Sequence, residues 1–335
     1  MSSSLRVGIV GAGAIAQVAH LPLLTKLKGV EIVSVCDTDL PKARSLATRF
    51  GVPDVYDDIV EMLRQSSMEA LVVCTPNHLH EVHVLAALAE GVNVLCERPL
   101  AMTSLGVRRL LQAQSEAGRI IMAGMNLRFR NDVEAVREFL NGEELGSVGA
   151  IRCGWFTLQS VHALGWRVSG ARAGGGAMLD LGLPMIDLAL WLAGNPPAKR
   201  VSAHVGIERT RGDVEQDGCA LIHCENGMSL FVDVSWNHIG DRERLWMEIV
   251  GTKGSATIGP LHVFKDINGK PVNVTPTGTA GRENAFTVSY RAELAHFLAV
   301  LRGDLEAPRL DDQIKLHELF EAIQRSAAEG CEVEL

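Results

Sequence analysis

The chain has 335 residues, is 47% hydrophobic and 21% charged, and carries a formal net charge of −8. That length points to two domains, and the composition supplies a packed core without the signature of disorder. The negative balance argues against a nucleic-acid partner, which calls for a basic face. Seven cysteines lie scattered with no C-x-x-C pair and no ligand spacing, which fits buried thiols in a reducing compartment and no metal site. Met1 to Arg6 offer no apolar core of signal-peptide length, and no uncharged apolar run is long enough to span a bilayer. A soluble cytoplasmic protein without a membrane partner is expected.

In chain order, Val7 to Val10 reads as a buried strand running into Gly11, Gly13 and the helix-favouring Ala14-Ile15-Ala16. A second apolar strand, Glu31 to Cys36, ends in Asp37. Asp39 caps the next helix, Leu40 to Phe50, which Gly51 closes; a short helix follows at 57–65. Ala70 to Cys74 is a third strand, broken by Thr75-Pro76-Asn77-His78, and the helix 79–90 stops at Gly91. Val92 to Cys96 is a fourth strand, stopped by Glu97-Arg98-Pro99; Thr103 or Ser104 caps a helix running to Gly118, and 120–123 is one more strand. Strands separated by helices predict a doubly wound parallel sheet of Rossmann type over 1–124, whose ligands bind beyond the carboxyl ends of the strands.

After about residue 145 the pattern turns to strands, at 147–158, 200–209, 218–224, 228–236, 245–251 and 255–258, with Glu225-Asn226-Gly227 as a hairpin signal. Helices are expected at 185–193, 291–302 and 313–329. The fold class is therefore α/β: the parallel sheet, then an α/β domain at 125–310 with a large, open, mostly antiparallel sheet, and a C-terminal helix at 311–335 packing back on the body. A sheet with helices on one face leaves the other to be covered, so a homodimer or homotetramer through the C-terminal sheet is expected.

The first stretch carries the strongest chemical signal. Gly11 makes the tight turn, Gly13 lets the backbone approach a pyrophosphate, and Ala16 fills the small-residue position where helix meets strand. The N–H groups and positive end of the helix then face the phosphates. An ordinary βα turn shows the same glycines, but Asp37 follows about 24 residues beyond Gly13, where an acid accepts hydrogen bonds from the adenosine ribose. A carboxylate there repels a 2′-phosphate and no Arg follows in Asp37-Thr38-Asp39, so NAD is the expected cofactor.

Beyond the glycines, Cys74-Thr75-Pro76-Asn77-His78-Leu79-His80, Cys96-Glu97-Arg98-Pro99-Leu100, Gly124 to Arg130 and Gly174 to Gly182 follow in order. With these segments the chain resembles the glucose–fructose oxidoreductase/inositol dehydrogenase (Gfo/Idh/MocA) family nearly end to end. The resemblance implies NAD(P)-linked hydride transfer to or from a sugar, sugar acid or cyclic polyol, and assembly through the sheets. It further implies that Gly11, Gly13, Ala14 and Ile15 hold the pyrophosphate and Asp37 the ribose. Thr75, Pro76, Asn77 and His80 would line the path to the nicotinamide, Glu97 and Arg98 would approach its ribose and ring, and Asn126 and Trp166-Arg167 would lie nearby.

Two positions depart from the family. Its Glu-Lys-Pro is Glu97-Arg98-Pro99 here, and its Asp-x-x-x-His pair is Asp180 to Pro184. Oxidising a hydroxyl requires a base for its proton, and neither arginine nor proline provides one. Arg98 can still polarise a carbonyl or clamp a carboxylate, and Asp180 is the retained acid/base member, unless it serves as a cap of the following helix. His78, His162 and His238 are further candidates for a relocated acid, and Arg98, Arg128, Arg130, Arg167 and Arg172 could together favour an anionic substrate. Catalytic work is therefore expected of Arg98 and Asp180. Two rivals stay open: tightly bound NAD driving elimination or glycoside cleavage, and an NAD(H)-binding protein without catalysis.

Overall fold

The structure, a computed structural model, describes residues 4–158, 165–206, 213–277 and 283–335. His162 and the end of the strand expected to reach Arg209 lie outside the described residues.

The strand–helix alternation forms as expected: β1 (Leu5–Val10), a helix beginning at Ala14 that passes through a π turn (Ala16–His20) into α1 (Leu21–Leu24), β2 (Val30–Cys36), α2 (Leu40–Phe50), β3 (Asp54–Tyr56), α3 (Ile59–Gln65), β4 (Ala70–Val73), α4 (Asn77–Ala89), β5 (Asn93–Glu97), α5 (Ser104–Ala117) and β6 (Ile121–Gly124). All strand pairs are parallel, in the order β3-β2-β1-β4-β5-β6. The strand order reverses between β1 and β4, which is where such a sheet opens a crevice for a dinucleotide. Local chemistry sets the helix ends. The side chains of Asp39, Asp58 and Thr103 accept from the N–H groups of Lys42, Glu61 and Gly106, while Gly51 and Gly118 end α2 and α5 in the left-handed region. β3 was not expected; it is three residues long and barely patterned.

A ³₁₀ turn (Asn126–Phe129) follows, and then come α6 (Asn131–Asn141), β7 (Val148–Leu158), α7 (Gly170–Ala173), a π turn (Met178–Gly182) leading into α8 (Leu183–Leu192), and β8 (Ala198–Val205) to β14: β9 (Asp217–Cys224), β10 (Ser229–His238), β11 (Arg244–Gly251), β12 (Gly254–Ile258), β13 (His262–Ile267), β14 (Lys270–Asn273). After these come α9 (Ala285–Leu301), α10 (Asp311–Glu329) and β15 (Val333–Glu334). Nine strands make one sheet, ordered β14-β13-β12-β11-β7-β10-β9-β8-β15, in which β7 and β10 run parallel and every other pair antiparallel. The hairpin at Glu225–Gly227 joins β9 to β10, with Gly227 at φ 86°. Alternate residues of β10, Leu230, Val232, Val234 and Trp236, are buried on the face where α8 packs. The segment Gly170–Leu192 is long and apolar enough to cross a membrane, yet most of it is buried as a core helix.

The chain divides into one compact unit ending at Asn126 that also takes Phe286–Ile314, and a second made of Leu127–Ala285 with Lys315–Leu335. The expected 125–310 domain is corrected accordingly: α9 belongs with the nucleotide-binding sheet. The reason lies on one face of α9. Ser289 accepts from the Asn126 amide at 3.0 Å, Tyr290 meets the His20 ring edge-on, and Glu293 is fully buried. Leu310 and Ile314 join the core cluster of Val10, Leu71, Val73, Val94 and Leu110. The expected 311–335 segment is likewise shared between the two units.

Candidate active site

The nucleotide fingerprint stands at the crevice. Gly11 has φ +94°, and a Cβ on it would lie 2.6 Å from the Cys74 carbonyl carbon and oxygen. A Cβ on Gly13 would meet only the Cys74 oxygen, at 3.9 Å. Gly11 is therefore fixed by the protein's own packing, whereas the space beside Gly13 is open. Gln17 N–H is the amide that bonds back to Gly13, at 3.2 Å, so Gly13, Ala14 and Ile15 begin a helix whose first N–H groups have no partner within it. Gly11→Ala should cost about 2–5 kcal/mol through clash and left-handed strain. Gly13→Ala should spare stability yet weaken NADH binding; urea melts beside an NADH fluorescence titration separate the two.

Asp37 sits at the end of β2. One carboxylate oxygen accepts from Ala12 N–H at 2.7 Å, and the other from Asp39 N–H at 2.9 Å and from Lys42 Nζ at 3.0 Å. A carboxylate has about four lone-pair sites, so these three donors leave about one for a further partner. Lys42 was missed from the sequence; it lies one helical turn beyond the Asp39 cap, where the ribose-acid reading did not look.

Thr75 and Pro76 follow β4, and Pro76-Asn77 open α4. Thr75 Oγ1 pairs with His83 Nδ1 at 3.1 Å. His80 is corrected from a lining residue to a strut. It is 1% exposed, and its Nδ1 and Nε2 each face a carbonyl oxygen at 2.7 Å, those of Pro99 and Thr75. Burial pulls its pKa down, against the two carbonyls. It thereby ties the loop after β4 to the loop after β5.

Glu97 closes β5 and is buried. Its Oε1 accepts from His20 Nε2 at 2.7 Å. Burial acts to raise the Glu97 pKa, but the His20 hydrogen bond, its charge and that of Arg98 hold it below the usual carboxylate range. Burial acts to lower the His20 pKa, and the adjoining Cys74 sulfur and Glu97 outweigh it, pushing it up to about 10. Glu293 on α9, also facing this group, is driven well above the usual carboxylate range by burial and then by Glu97. The motif position that bears a lysine in the family thus stands beside the His20–Glu97 pair and the buried Glu293. His20, Tyr290 and Glu293 were missed from sequence. The 3–4-residue spacing of Tyr290, Glu293 and Phe297 marks one helix face, but nothing marks its partner.

In the second unit, Asp180 lies in the π turn before α8, and Trp236 Nε1 donates to its Oδ2 at 3.0 Å. Pro184 occupies the first turn of α8, where a missing N–H costs little. Trp166 and Arg167 share a ³₁₀ turn, with the guanidinium 4.8 Å from the ring centroid. Two of the five arginines considered for an anion site are neutralised. Arg128 makes a bidentate pair with buried Asp187 at 2.7 and 2.5 Å, and Arg130 one with Asp132 at 2.9 and 2.7 Å. Arg172 is exposed, and His238 stacks on Phe156 at 5.2 Å. No group of three or more potential metal ligands occurs among the described residues.

Comparison with known proteins agrees with this geometry. Residues 5–125 match the oxidoreductase family with NAD-binding Rossmann fold, GFO/IDH/MocA, and residues 133–257 match a GFO/IDH/MocA C-terminal domain. D-glucoside 3-dehydrogenase of Escherichia coli (strain K12) is 30% identical, with 100% of this chain and 98% of that protein aligned. Inositol 2-dehydrogenase of Burkholderia cenocepacia (strain HI2424) is 26% identical over 98% and 95% of the two chains. The crystal structure of GenD2 from gentamicin A biosynthesis, in complex with NAD, superposes with a TM-score of 0.87 at 31% identity, covering 100% and 97%. The chain belongs to the GFO/IDH/MocA family of NAD-dependent oxidoreductases.

Proposed function

We propose that this oxidoreductase moves a hydride between NAD(H) and a carbon bearing a ring hydroxyl of a sugar or cyclic polyol. The observation that carries the reading is Asp37, held at the end of β2 against the glycine turn at the strand-order reversal. Bound NAD supplies the hydride acceptor. The chain's own part is to hold the substrate oxygen and move its proton: Arg98 orients and polarises the reacting group, and Asp180 accepts the proton, directly or through water. The sugar and polyol class rests on relatives named glucoside and inositol dehydrogenases. The pairing of Arg128 and Arg130 with Asp187 and Asp132 supports a neutral substrate over a sugar acid.

NADH should bind the nucleotide-stripped protein more than about tenfold tighter than NADPH, a ~1.4 kcal/mol difference well within the cost of opposing a carboxylate to a 2′-phosphate. Asp37→Ser should erase the preference and leave Lys42 to meet the phosphate. Titration by nicotinamide fluorescence reads both; equal binding of the two nucleotides by the wild-type protein overturns the assignment.

The open face of the large sheet supports a homodimer or homotetramer. Phe231 and Leu221 are cross-strand neighbours there, 36% and 38% exposed. The seven cysteines are free thiols, which supports a cytoplasmic location.

A further inference from the structure

Asp180 owes its place to a residue that is remote in sequence. Glu215 takes three successive backbone N–H groups just ahead of it. Its carboxylate accepts from Gly176 N–H, with both oxygens at 2.9 Å, and from Met178 N–H at 3.0 Å, while its carbonyl accepts from Ala177 N–H at 3.0 Å. A carboxylate at the N-terminus of a helix meets both the unpaired amides and the positive end of the dipole. The Gly176 carbonyl in turn accepts from Asp180 N–H at 2.9 Å, so one peptide unit is gripped by Glu215 on one side and by Asp180 on the other.

The glycine run ahead of Asp180 acquires a reason. A Cβ on Gly176 would lie 1.8 Å from the Glu215 carbonyl oxygen, so only glycine lets the two segments meet. The same stretch also fixes the other contact of Asp180. The carbonyl of Gln216 accepts from the backbone N–H of Trp236 at 2.8 Å, and the Trp236 indole donates to Asp180 at 3.0 Å. Residues 215–216 therefore set both the backbone that carries Asp180 and the indole that orients its carboxylate.

We infer that Glu215 is a positioning residue: it aims Asp180, through the 176–178 amides and through Trp236, for the proton transfer. The inference rests on the proposed role of Asp180, and the test keeps the two apart. Burial pushes the Glu215 pKa up, and the backbone N–H bonds oppose that.

The first readout needs no substrate. In ¹H–¹⁵N spectra, with the Trp236 indole signal assigned through Trp236→Phe, the resonance should move in Asp180→Asn and also in Glu215→Gln. In the latter the amide oxygen can take the place of Oε1, but its NH2 then stands where Oε2 accepts from Gly176 N–H at 2.9 Å, a donor against a donor. Glu215→Asp, shorter but still charged, should move it less. The second readout is NAD reduction with the better substrate among myo-inositol and methyl D-glucosides. Glu215→Gln should lower kcat/KM by about 10- to 100-fold, the scale of a misplacement near 1 Å. The double variant with Asp180→Asn should be no slower than Asp180→Asn alone, because residues acting as one unit are not additive. An indole resonance unmoved in Glu215→Gln, or losses that multiply in the double variant, overturns the inference. Full activity in Asp180→Asn overturns the proton role instead, while the indole shift still reports on the positioning.

Discussion

Asp180→Asn should lower kcat/KM by about 10²–10⁴-fold, the usual worth of a positioned general base, with NADH affinity unchanged. The change is nearly isosteric, and the remaining amide oxygen can still accept from the Trp236 indole that now holds Oδ2 at 3.0 Å. Folding should therefore be little affected, and the loss should fall on the chemical step. The effect is large because the alternatives are gone. Pro184 stands where the family's histidine would, and Arg98, charged at every working pH, cannot take the proton. Restoring that histidine by Pro184→His in the Asp180→Asn background separates a missing proton acceptor from a distorted site. Steady-state kinetics beside the NADH titration decide the matter, and wild-type turnover by Asp180→Asn removes this residue from the mechanism.

The nucleotide half of this protein was legible because local chemistry writes it. The apolar run Val7 to Val10, the glycines, the acid at Asp37 and the caps at Asp39 and Thr103 each report on neighbours a few residues away. The second unit was legible where one buried face imposes alternation, as in β9 and β10. It was illegible where that face is missing: β13 and the edge strand β14 are mostly exposed, and β15 is two residues long. The largest gap is where α9 packs. That helix is apolar on most sides, so periodicity gave its existence but not its partner, and the hydrogen bond that fixes it joins residues 163 apart. The candidate site shows the same division. The motif residues were expected from the glycine-to-acid spacing and from the family resemblance, whereas Glu215, Trp236 and His20 make contacts that no spacing encodes.

His20→Ala should destabilise the nucleotide-binding unit by about 3–5 kcal/mol, since removing one member of a buried ion pair strands the other. Glu97 would then keep its carboxylate out of water with its 2.7 Å partner gone, beside the fully buried Glu293. The pH dependence carries the sign. His20 is raised from 6.5 to about 10 in the folded protein, so its contribution is complete below about pH 6.5 and is lost as pH rises toward 10. Glu97 is held below its ordinary value, so its share is present above that value and lost as pH falls. Urea unfolding of the nucleotide-free wild-type protein should weaken steadily from pH 7 to 10, and His20→Ala should be nearly flat across that range. Glu97→Gln should also lessen that slope, because it removes one of the groups that, with the Cys74 sulfur, offset the burial that disfavours a charged imidazole. The two single losses should not add in the double variant, which leaves no buried charge from this pair and should recover part of either loss. Equal slopes in wild type and His20→Ala would mean that His20 is neutral in the folded protein and that Glu97 is stabilised without it.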